Sequence, residues 1–168
     1  MSNKQNQLSK QIPDLMAKLD AAGISYHIGV VSTDMDDGSQ QGKLQSWVGP
    51  LVVTDQTANG TALVQQMVQL GSNGSGTEQG LAAMEFALSE LLTADLPIPC
   101  TADSQCPWPH LCRTDADLPT QKHCGGHNRS FLRAEADLAI LVLSDEEDGS
   151  AANIGYYSSF LTGLKAKV

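Results

Sequence analysis

Leu138-Ala-Ile-Leu-Val-Leu143, followed at once by Ser144-Asp145-Glu146-Glu147-Asp148-Gly149-Ser150, is the stretch on which the fold reading turns. Six apolar residues without alternation predict a strand covered on both faces, the pattern of a parallel sheet. In open α/β sheets, ligands gather where such strands end at their carboxyl tips. Four carboxylates at that tip make a hard-oxygen cation site the leading chemical expectation. The plainer alternative is a solvated acidic loop.

Working outward, helices and strands alternate. Leu8, Ile12, Leu15, Met16 and Leu19 share one stripe and predict an amphipathic helix over about 5–20, closed by Gly23. Ile24-Ser-Tyr-His-Ile-Gly-Val-Val31 reads as a strand ending in a second acidic turn, Ser32-Thr-Asp34-Met-Asp36-Asp37-Gly38. Pro50 makes Trp47–Thr54 an edge strand or hairpin arm. Further helices are expected over about 60–70, 78–92 and 151–165, with Leu91 and Ile154 facing inward. This alternation predicts one domain over 1–168, an α/β three-layer Rossmann-like sandwich with a mostly parallel sheet. A cysteine-rich insertion at 97–126 interrupts it.

The 168 residues carry 10 Lys+Arg against 19 Asp+Glu, a net charge of −9. That balance argues against nucleic acid and anionic membranes as partners, since both are held by basic patches. No apolar run approaches the roughly 20 residues that span a bilayer, and 1–8 carry no apolar signal core. Cys100, Cys106, Cys112 and Cys124 lie close together, which suggests two disulfides and an oxidising compartment. Three pairings are possible and the spacing does not choose among them. A zinc site helped by His110, His123 or His127 is the rival, although no Cys-x-x-Cys knuckle occurs.

The loop 71–78 is rich in glycine but lacks the lysine of a phosphate loop. Thr77 reads as an N-cap, and Ser75 with Glu78 fits a capping box. Both acidic turns put glycine at the fifth position of an EF-hand loop, where a ligand is required. No Gly-x-Ser-x-Gly elbow occurs. His27, in mid-strand, reads as a packed side chain.

Taken in order, Ile28-Gly-Val-Val-Ser-Thr-Asp34, the glycine loop with Thr77, and Phe131-Leu-Arg-Ala-Glu-Ala-Asp-Leu-Ala-Ile-Leu-Val-Leu-Ser-Asp-Glu-Glu-Asp148 resemble the von Willebrand factor A domain, in its bacterial secreted and lipoprotein branch. The resemblance implies a metal-ion-dependent adhesion site holding Mg²⁺ (or Ca²⁺ or Mn²⁺), with Thr77 and Asp145 as ligands. Asp34, Glu147 and Asp148 are possible additional acidic ligands. A carboxylate from a protein ligand would complete the coordination. The family's Asp-x-Ser-x-Ser triplet is absent, as is the strand before it. Met1-Ser-Asn-Lys-Gln-Asn looks like the continuation of that triplet, and Val168 falls where a further strand would follow, so the resemblance implies a truncated domain.

The expected function is therefore a non-enzymatic, divalent-cation-dependent protein-binding module of an extracytoplasmic setting (secreted, periplasmic or cell-surface). Its metal site is incomplete and its Mg²⁺ affinity weak or absent. The exposed sheet edges left by the missing strand predict a homodimer, strand exchange or marginal folding. The alternatives are a metal-assisted α/β hydrolase using Asp145 with Asp34 or Glu147, and a purely structural disulfide-stabilised domain.

Overall fold

Leu8, Ile12, Met16 and Leu19 recur at helical spacing. In the computed structural model, which describes residues 2–72, 74–114 and 120–166, they line one face of α1 (Ser2–Ala21). That face packs on α2 (Gly60–Met67) and on an antiparallel ribbon of β1 (His27–Ile28) with β2 (Val53–Thr54). Ile12, Met16, Tyr26, Val53, Val64 and Met67 form the buried centre of this first core. Pro13 lies inside α1 and has no N–H to give the Ser9 carbonyl one turn back. Gln65 of α2 fills that gap. Its Nε2 donates to the Ser9 carbonyl at 3.0 Å, and Ser9 Oγ donates to the Gln65 carbonyl at 3.0 Å.

A second core joins α3 (Gly80–Leu88) to α5 (Ile154–Ala166) through buried Met84, Leu88 and Tyr157. Between the cores' helices run the short α4 (Glu90–Thr93) and a three-stranded antiparallel sheet of order β3-β5-β4. Its strands are β3 (Asp95–Pro99), β4 (Leu111–Thr114) and β5 (Lys122–Gly125). The cysteine stretch, which reads as a surface excursion, thus holds the larger sheet. Two disulfides staple it, Cys100–Cys112 and Cys106–Cys124, the interleaved pairing. Ile154 and Leu91, expected inward, are 71% and 48% exposed, because α5 and α4 present the opposite sides to the core.

The three-layer Rossmann-like sandwich with a mostly parallel sheet does not form. Both sheets are antiparallel, and residues 138–143 belong to neither. Among the described residues, no backbone hydrogen bond joins that run to another segment. The physical reason is the lack of a neighbour. The other apolar segment, 24–31, pairs antiparallel with β2 and, at Val31, with Leu44. An apolar run records a demand for cover; a parallel ladder also needs a strand alongside. The expectations resting on Met1 and Val168 lie outside the described residues.

Asn128, 1% exposed, ties the second core to the loop before β2. Its Oδ1 accepts the Leu44 N–H at 2.8 Å, and its Nδ2 donates to the carbonyls of Gly42 (2.8 Å) and Ala87 (2.9 Å). Gly42 permits this approach: its φ is +66°, and a Cβ there would lie 2.7 Å from the Ala87 nitrogen. Asn128→Ala leaves one N–H and two carbonyls unpaired in the interior. The expected loss is about 3 kcal/mol of unfolding free energy by urea denaturation; an unchanged midpoint would refute this role.

The disulfides close separations of 12 and 18 residues. Loops of that length correspond to about 3 kcal/mol each. Dithiothreitol is therefore expected to lower the melting temperature sharply, and calorimetry with and without reductant checks it.

Candidate functional site

Three polar turns, far apart in sequence, meet at one end of α3. The first follows β1. In it Asp34, 7% exposed, accepts the N–H groups of Asp36 (2.9 Å) and Asp37 (3.1 Å) on Oδ1. Its Oδ2 accepts the Ser75 N–H at 2.8 Å, which brings in the glycine loop. Gly74 gives this approach its room, since a Cβ there would meet Asp34 Oδ2 at 2.8 Å. Ser75 Oγ donates to Asp36 Oδ2 at 2.6 Å, the Gln79 N–H to the Thr33 carbonyl at 3.0 Å, and Thr33 Oγ1 to Glu78.

The third turn is the acidic one after residue 143. Helix α3 begins at Gly80, not at Glu78, and Thr77 is not its cap. The orphan N–H groups of Leu81 and Ala82 are taken instead by Asp148 Oδ1 (3.2 Å) and Ser150 Oγ (2.9 Å). A carboxylate is well placed at that positive helix end. Gly149 lies against Thr77, and its N–H donates to the Glu78 carbonyl at 2.6 Å.

The candidate residues divide accordingly. Thr77, Asp34 and Asp148 come together at this rim. Asp145 and Glu147 are exposed on the same acidic loop, and Asp145 is engaged within the chain. The donors are hard oxygens, suited in kind to Mg²⁺ or Ca²⁺. They fall short in freedom, because Asp34 and Asp148 already serve backbone N–H groups. Among the described residues, the one group of three potential ligands within 4.8 Å of each other is Cys100, Cys106 and Cys124. All three are in disulfides and offer no thiolate.

The zinc alternative fails for the same reason. Among the described residues, none of its histidines joins that group of sulfurs. His127 Nε2 bonds the Leu44 carbonyl at 3.0 Å, His123 faces Asp95 at 3.2 Å, and His110 is buried with both ring nitrogens unpartnered. What sequence reasoning missed is the capping by Asp148 and Ser150. Its signal was an Asp-x-Ser facing a glycine-rich helix start, legible only once the two segments are adjacent.

No family model matches the chain, and neither curated proteins nor solved structures give a match. The disulfides mark an oxidising environment. Among the described residues, no helix is long and apolar enough to cross a membrane.

Burial pushes the Asp34 carboxyl up, but the N–H groups of Ser75, Asp37 and Asp36 outweigh it and hold it below the usual value. A depressed folded value stabilises above the ordinary carboxylate pKa of about 3.9 and ceases to do so as pH falls through the folded value. Stability is thus expected to fall below about pH 4, with a shallower decline in Asp34→Asn. Asp148→Ala, which removes a cap, should cost about 1 kcal/mol at pH 7. Denaturation across pH 2.5–7 reads both.

Proposed function

We propose that this chain is a non-enzymatic protein-binding module with an incomplete metal site, working in an extracytoplasmic setting. The observation that carries the reading is the convergence of the turns 32–38, 74–80 and 145–150 on one rim. The resemblance of residues 28–34 and 131–148 to motifs of the von Willebrand factor A domain supports it at the level of sequence alone, since that family's parallel sheet does not form here. The disulfides support the setting.

The rim presents hydroxyls and carboxylates to a protein ligand. A divalent cation, Mg²⁺ or else Ca²⁺ or Mn²⁺, would be held weakly at most, by Thr77 and Asp145 with most positions left to water. Asp34 is poorly suited to general-acid chemistry, since its carboxyl sits below rather than above the usual range.

Isothermal titration with MgCl₂ is expected to give a millimolar constant or weaker, about −4 kcal/mol. Amide chemical-shift changes on addition of Mg²⁺ should centre on Thr77 and residues 145–148. Micromolar affinity abolished by Asp145→Ala would overturn the incomplete site. Turnover of generic phosphoesters would overturn the non-enzymatic reading.

A further inference from the structure

Residues 138–143 combine two features that do not belong together in a finished surface. Their composition is that of a strand covered on both faces. Yet Ile140, Leu141 and Val142 are 41%, 73% and 47% exposed. Three consecutive apolar side chains are thus left uncovered. The backbone is open as well, since none of the six residues shares a backbone hydrogen bond with another described segment. Only the ends are fastened. Leu138 joins the second core, and Val142 lies beside Gly80, where a Cβ would meet its Cγ1 at 2.9 Å.

Apolar side chains with unpaired peptide groups are matched by one kind of ligand, another extended peptide, which supplies ladder bonds and apolar contact together. Charge selects among such peptides. The run is bracketed by Asp137 on one side and Asp145, Glu146, Glu147 and Asp148 on the other, in a chain of net charge −9. A second copy brings the same acidic flanks. Paired antiparallel about its centre, it would set Glu135 opposite Glu146, and paired parallel it would set the two acidic loops side by side.

We propose that residues 138–143 are a docking edge for one extended, apolar segment of a partner polypeptide that carries lysine or arginine beside the acidic loop 145–148. This site adjoins the rim and shares its acidic loop 145–148, but needs no metal.

The test uses fluorescein-labelled Val-Ile-Val-Val-Ile-Val with two lysines at one end or the other, and the same peptides with glutamates, titrated with the full chain and read by anisotropy in the presence of EDTA. One lysine peptide is expected to bind with a micromolar constant. The glutamate peptides should bind at least about tenfold more weakly at low salt, a gap that narrows near 1 M NaCl. Leu141→Pro, which removes a ladder donor at an exposed position, should weaken binding by about tenfold or more. Leu141→Lys, which keeps the backbone donor, should weaken the lysine peptides too. Leu15→Lys, at an exposed α1 position, should leave binding unchanged. Hydrogen exchange should slow at 138–143 when the lysine peptide is bound. Absence of binding, binding indifferent to Leu141→Pro, or sedimentation showing a self-associated form that excludes the peptide would each overturn the proposal, the last by making a second copy the occupant.

Discussion

Three hydrogen bonds of the Asn128 side chain, wholly buried, help to set the relation between two parts of the chain that have separate cores. One core belongs to α1, α2 and the β1–β2 ribbon, the other to α3 and α5. A buried amide with every bond made is directional where apolar packing is not. By holding Leu44 and Gly42 against the end of α3 at Ala87, it fixes where the loop leading into β2 lies on the second core. The Asn128 N–H itself bonds the Leu92 carbonyl at 2.7 Å, so the cysteine sheet is placed from the same residue.

The rim follows from this arrangement and has a consistent chemistry. Backbone N–H groups of turns and of a helix start are orphans that need acceptors, and carboxylates supply them from across the fold. Asp34 and Asp148 each bind two polar segments together in this way. Acidic residues that suggest a cation cage are in part the molecule's own loop fasteners. Asp34 and Asp148 are thereby committed to the chain's own N–H groups.

What was legible in the sequence was local. The spacing of Ile12 and Met16 located the buried face of α1, and the clustering of the cysteines announced disulfides. The pairing was not legible, because it depends on which strands of the inserted sheet lie adjacent. Gln65 answering for Pro13 was hidden for a similar reason, since the bonded residues, Ser9 and Gln65, are 56 residues apart. The largest departure came from residues 138–143, where composition states what a segment requires and says nothing of whether a neighbour exists to provide it. At the rim, Thr77, Asp34 and Asp148 were legible as polar turn residues; their hydrogen-bond allegiances were not.

The interleaved bridges carry a topological consequence for the inserted sheet. With Cys100 joined to Cys112 and Cys106 to Cys124, any single peptide cleavage between Cys100 and Cys124 leaves at least one bridge spanning the cut. A protease that nicks the chain once between those cysteines therefore releases no fragment, and the two halves stay one molecule until a reductant reaches the sulfurs. For a domain of an oxidising environment, that is tolerance to damage written into connectivity rather than into rigidity.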